Sequence, residues 1–160
     1  MWWLAGIVGA VALAATYLTW TASRVERLHS RARHAAAALV DKLNLRAEVA
    51  LLLAAEASVR LGRHAEAIRV GARAALDSPP DQREAAENDL TRILRDLPLP
   101  SDDEVLADLR VASRRVAIAK EVHTDLVRDA LNSRSRHATR LFRLARDLCR
   151  PTYFNIDDPR

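Results

Sequence analysis

From Trp2 to Ser23 the chain carries no Asp, Glu, Lys or Arg, and its first charged side chain is Arg24. A helix needs about 20 apolar residues to cross a hydrocarbon layer roughly 30 Å thick, so this stretch predicts a transmembrane span. Its aromatics stand at the two ends, Trp2 and Trp3 against Tyr17 and Trp20. At a helical rise of about 1.5 Å per residue, Trp3 and Trp20 lie about 26 Å apart, close to the spacing of two interfacial belts. A cleaved signal peptide would show a basic leader, a shorter apolar core and a small-x-small site. A core helix of this length usually carries polar residues on one side. The uninterrupted run therefore predicts an uncleaved anchor over residues 1–23.

The helical pattern continues beyond the anchor. Val25, Leu28, Ala32, Ala35 and Leu39 recur at three- and four-residue spacing, and the stripe resumes at Leu43, Ala47, Ala50, Ala54, Ala57 and Leu61. The steps 35 to 39 to 43 are two fours in succession, a stutter that unwinds a supercoil locally. No Pro or Gly interrupts residues 24–61, which predicts a helix continuous, or nearly so, with the anchor. Gly62 is its expected stop. His64 to Leu76 reads as a second helix ended by Asp77-Ser78-Pro79-Pro80. Pro80 and Asp81 then open a third, running to about Asp96, because proline is tolerated in a first turn. Leu97-Pro98-Leu99-Pro100 breaks it, and Ser101 or Asp102 is positioned to cap a fourth. That fourth helix carries Val105, Leu109, Ala112, Val116, Ala119, His123, Leu126 and Ala130, alternating fours and threes as an a/d seam does. Asn132-Ser133 weakens the pattern, which returns through Leu141, Leu144, Ala145 and Leu148 before Pro151.

The expected fold is all-α: an N-terminal transmembrane helix continuing into an antiparallel, coiled-coil-like bundle of long helices over residues 24–149, with a tail over 150–160. The first helix beyond the anchor would extend about 55–60 Å and residues 102–149 about 70 Å, enough to return the full distance. Composition agrees, since Ala and Leu dominate and there are only four glycines.

Charge sets the orientation. Arg24, Arg27, Arg31 and Arg33 follow the span against a single Glu26, while nothing basic precedes it except the terminal amine. Basic residues beside a span stay cytoplasmic, so the expectation is a single-pass cell-membrane protein with its N-terminus outside and its body in the cytoplasm. A returning last helix would bring Arg134, Arg136, Arg140, Arg143, Arg146 and Arg150 towards the same surface, where anionic lipid headgroups are the expected partners. The alternative for that segment is an ordinary amphipathic helix with a solvated Arg face. The net charge of +4 is modest and acids are mixed with bases, which argues against a nucleic-acid partner. Cys149 is the single cysteine, so no internal disulfide is available, and its simplest reading is a buried free thiol.

The spaced arginines Arg24, Arg27 and Arg31 behind an N-terminal span, with Ala35, Leu43 and Arg46 in the next helix, resemble the LemA family. The C-terminal half resembles it more closely, through Arg115-Val116-Ala117-Ile118-Ala119, Asp125-Leu126-Val127-Arg128 and Pro151-Thr152-Tyr153-Phe154. The chain departs from that pattern at Ala36, Val122-His123 and Ala130-Leu131, where the family has aromatic residues. The resemblance implies a membrane-anchored helical bundle and no established catalytic residues. Separately, Gly62-Arg63-His64-Ala65-Glu66-Ala67-Ile68 reads like one helix of a tetratricopeptide repeat, but the next period meets Leu97-Pro98-Leu99-Pro100 and arrays need about three units.

Motifs that carry chemistry are missing. The histidines at 29, 34, 64, 123 and 137 include no i,i+4 pair, and there is no cysteine pair or Gly-rich phosphate loop. Glu48, Glu56 and Glu66 form no Glu-x-x-His set for a di-metal site. His123, on the apolar seam, reads as a hydrogen-bonded structural histidine. The expectation is thus a non-enzymatic scaffold or interaction module without a cofactor, bound to the bilayer and to an unidentified protein partner. A tetratricopeptide-like adaptor, or an enzyme assembled only on oligomerisation, are the alternatives. Gly6-x-x-x-Ala10 and Ala10-x-x-x-Ala14 would allow spans to pack closely in a homo-oligomer.

Overall fold

In the computed structural model, residues 2–100, 103–135 and 149–157 are described, with 134 and 135 as backbone only. Every element among them is helical: α1 (Trp2–Glu56), α2 (Ser58–Leu61), α3 (Arg63–Asp77), α4 (Arg83–Arg95), a 3-10 turn at Glu104–Leu106, and α5 (Ala107–Ser135).

Helix α1 runs unbroken for 55 residues. Its i→i−4 ladder carries across Ala57, which donates to Leu53 O at 2.9 Å and accepts from Leu61 N at 2.9 Å, so α2 is nearly a continuation. The chain turns at Gly62, with φ 54° and ψ −125°, a conformation that lacks steric penalty only without a Cβ. The expected end of the first long helix is thus where it occurs. The third helix starts later than the prolines suggested. Pro80 to Gln82 form a turn closed by Gln82 N on Pro79 O at 3.0 Å, and α4 begins at Arg83. The expected caps Ser101 and Asp102 lie outside the described residues. Asp103 performs that role, its carboxylate accepting from Val105 N at 3.0 Å.

The chain divides into two compact units, residues 1–35 with 124–152, and residues 36–123 with 153–160. In the first, Ala32, Val127 and Ala130 are buried together, with Leu28, Leu126 and Leu131 against them. In the second, the main core is rich in alanine: Ala47, Ala50 and Ala54 of α1 meet Ala65, Ile68, Ala72 and Ala75 of α3 and Leu90 of α4. Small side chains let helices approach closely. At Gly71 an added Cβ would stand 2.7 Å from Ile93 Cδ1, so α3 and α4 touch almost backbone to side chain. A smaller cluster joins Leu39 and Leu43 of α1, Val116 of α5 and Ile156, with Phe154 against it. Residues 153–157 are therefore fastened down: Lys120 Nζ donates to Ile156 O, and Asp157 N donates to Asn88 Oδ1 at 2.7 Å.

The seam of α5 is slightly rephased. Leu109, Ala112, Val116, His123 and Ala130 are buried as their spacing demands, but Val105 is exposed and Leu106 is buried in its place. The three-residue period of the 3-10 turn moves the inward position by one. Val127 likewise is buried while Leu126 is only partly so. Cys149 is exposed, against the expected buried thiol, because it stands in non-helical chain just ahead of Pro151.

Candidate functional site

Two features of the second unit stand out chemically: a buried ion pair and the cavity beside it. Arg46 lies on the covered side of α1 between Leu43 and Ala50, and its side chain is 1% exposed. Its Nη2 donates to Glu87 Oε2 of α4 at 2.7 Å and, more weakly, to the Glu87 carbonyl at 3.4 Å. That same carbonyl accepts from Thr91 Oγ1 at 2.8 Å. Glu87 is fully buried. Charges in such a place are tolerated only in mutual contact, because desolvating either one alone costs several kcal/mol. The satisfaction is incomplete, since Arg46 Nε and Glu87 Oε1 have no hydrogen-bond partner among the described residues. Arg83 strengthens the same α1–α4 contact by donating to Asn44 Oδ1 at 2.8 Å.

Arg46 also lines a cavity of about 820 Å³ between α1, α4, the 97–99 segment and α5. Its apolar wall is Leu94, Leu97, Leu99, Leu106, Leu109 and Ile118. Arg95, Arg110 and Arg114 supply cationic lining, with Glu121 the one acid. This size falls within the range of small-molecule sites, and a mostly apolar wall with a few charged groups is their usual composition.

Asp103 organises the edge of this region. Arg60 of α2 donates to it twice, at 2.5 and 3.3 Å, and Arg110 of α5 donates to its carbonyl at 2.8 Å. The Arg60 hydrogen bond, aided by the one from Val105 N–H, holds the Asp103 carboxyl below its ordinary value of 3.8. His123 is buried, and burial pushes its imidazole below 6.5. It sits on the buried seam as expected, though its Nδ1 has no hydrogen-bond partner among the described residues. No group of three metal-ligating side chains occurs among the described residues.

The residues singled out in the sequence fall elsewhere. Trp2, Trp3, Tyr17 and Trp20 are all exposed on α1, and the Arg24 guanidinium stands over the Trp20 ring, 5.6 Å from its centroid. Arg24, Arg27, Arg31, Arg33 and Arg150 are exposed. Arg136, Arg140, Arg143 and Arg146, with the apolar positions interleaved among them, lie outside the described residues, and so does their expected convergence on the membrane surface. Of the LemA-like positions, Arg115 and Asp125 are exposed and Val127 is buried. Arg128 bonds Asp125 one turn away at 2.9 Å, Pro151 is half-buried, Tyr153 exposed, and Phe154 half-buried against the Ile156 cluster.

Sequence reasoning missed Glu87, Arg110 and Arg114, and read Leu97 and Leu99 only as part of a helix break. A signal was present. Positions 39, 43, 46, 50, 53 and 57 alternate fours and threes, which puts Arg46 in register with the apolar stripe, and Glu87 precedes buried Leu90 by one turn. An ionisable residue on such a stripe asks for a partner. Comparison with protein families, with curated proteins and with solved structures returns no match for this chain.

Proposed function

We propose that this is a single-pass membrane protein whose helical body serves as a scaffold or interaction module at the membrane. The observation that supports it is the character of α1 along its length. One stretch is apolar and long enough to cross a bilayer, yet almost none of it is buried against the rest of the chain. That separates it from the core helix of a soluble protein, whose apolar side chains are covered. Its hydroxyls bond back into the helix, Thr16 to Ala12 O at 2.9 Å and Thr21 to Tyr17 O at 2.8 Å, so few polar groups there would face lipid unsatisfied.

In this reading the body is an antiparallel bundle of LemA type and faces the cytoplasm. Arg24, Arg27, Arg31 and Arg33 lie at the inner headgroups, each contributing about 1 kcal/mol on an anionic surface. The test is thiol accessibility in intact cells, using the exposed Cys149 and a second cysteine placed ahead of Trp2, with lysed cells as the labelling control. An impermeant reagent is expected to label only the N-terminal thiol. Labelling of Cys149 from outside would overturn the orientation, and loss of the protein from membranes in alkaline carbonate would overturn the anchor.

A further inference from the structure

Residues 153–157 are held as a cleft holds a peptide. Asn88 of α4 donates through Nδ2 to Asn155 O at 3.5 Å and accepts through Oδ1 from Asp157 N at 2.7 Å. Lys120 of α5 donates to Ile156 O. All of these bonds read backbone. In a parallel ladder one residue bonds the carbonyl and the N–H that flank its opposite number, and the side-chain amide of Asn88 makes that pair of bonds on either side of Ile156. The side chains sort by position. Ile156 is 3% exposed among Leu39, Leu43 and Val116, with Phe154 half-buried against it, while Tyr153, Asn155 and Asp157 stay exposed. Main-chain bonds combined with pockets for alternate side chains are how clefts recognise an added peptide strand.

We propose that this groove between α1, α4 and α5 is a recognition site for non-helical protein segments that carry an aromatic residue two places ahead of an aliphatic one. Phe154-Asn155-Ile156 is its occupant in cis, and a partner's segment of that pattern displaces it. The walls are fastened without the occupant. Leu43 lies one turn from Arg46 and Asn88 is next to Glu87, so the buried ion pair between α1 and α4 sets the spacing of the groove. Arg83 adds its bond to Asn44, beside Leu43, and Leu109 holds α5 in the main core. A site built before its ligand arrives loses little ordering entropy on binding. The occupant is also replaceable, because Asn88 and Lys120 place no demand on the side chains at 155 and 157. This deepens the interaction-module reading of the body and rests on that part of it, not on the anchor.

The experiment takes the full chain in detergent micelles with a fluorescein-labelled peptide copying residues 152–157, read by anisotropy. Phe154→Ala with Ile156→Ala releases the cis segment. This variant should bind the peptide at least about tenfold more tightly than the wild type, whose own segment competes at the high local concentration of a tethered ligand. Serine at both Asn155 and Asp157 of the peptide should leave binding within about threefold, whereas Ile156→Asp in the peptide should abolish it. Methylation of the peptide's Asp157 nitrogen removes the N–H that Asn88 accepts and should weaken binding about tenfold, as should Asn88→Leu in the released variant. In the wild type, peptide at about 1 mM should speed hydrogen exchange at the chain's own Asp157 amide. A released variant that binds no better than the wild type, binding that survives Ile156→Asp, methylation without effect, or unchanged exchange would each overturn the proposal. So would loss of helix content in the released variant, which would make the segment part of the core. Alkaline carbonate extraction of the same protein reads the anchor separately, so failure of this site and failure of the membrane reading are told apart.

Discussion

One helix, α1, contains two regions that obey opposite rules. From Trp2 to Trp20 it carries no charged side chain, and its large apolar groups stand uncovered. From Leu39 to Glu56 it is interspersed with charges, one of which, Arg46, is among the most deeply buried of the described side chains. Hydropathy and burial are therefore uncoupled along a single continuous element. Apolar surface that the chain does not cover needs another solvent, and the bilayer is the one proposed above. A charge that the chain does cover needs a partner, which Glu87 supplies.

The contrast can be broken first where it costs most. Glu87→Ala leaves Arg46 desolvated and alone, and is expected to cost about 3–5 kcal/mol in denaturant unfolding of the body. Replacing both members, as Arg46→Met with Glu87→Leu, should recover most of that loss, since a matched apolar pair of similar volume stands in well for a buried ion pair. A double variant as unstable as the single one would mean that α1 and α4 need the pair for register.

In the uncovered region the expected effect is on insertion. If the proposed span is right, Val11→Arg at its middle should cost about 2.5–3.5 kcal/mol of membrane insertion, read as protein released by alkaline carbonate. Helix content of the body should not change.

A third test is acid sensitivity. The buried His123 binds its proton at lower pH when folded than when unfolded, where its value is near 6.5. Stability from keeping the ring neutral is whole above the unfolded value and is lost as the pH falls towards the lower folded one, so the wild type should be less stable at about pH 5 than at about pH 7.5. His123→Gln should flatten part of that slope, and an unchanged slope would assign it to other groups. The smallest effect belongs to Val59, which is apolar and 95% exposed yet lies outside the apolar N-terminal stretch. Val59→Lys should change stability by no more than about 0.5 kcal/mol, because it relinquishes no burial.

These contrasts were unevenly legible in the sequence. The apolar stretch, the long first helix and its end at Gly62 follow from composition and local geometry, which act within a few residues. The stripe at Leu43, Ala47, Ala50 and Ala54 was equally plain, and all four are buried. Arg46–Glu87 was not, because a pairing across 41 positions depends on which helices meet. The inward turn of Leu106 instead of Val105 depended on a 3-10 turn that has no distinctive residue code. The same applies to Ile156, whose short flanking segment has no periodicity to betray it.

The fastening of that segment affects how the protein is made. Ile156 completes the cluster of Leu39, Leu43 and Val116, yet the ribosome delivers it only after residues 124–152. At about 5–20 residues per second that interval lasts roughly one and a half to six seconds. The unit begun at residue 36 thus waits with its last hydrophobic position unfilled, while the apolar stretch of α1 has already left the exit tunnel. Under the membrane reading proposed above, the nascent chain would be targeted before Ile156 closes this cluster.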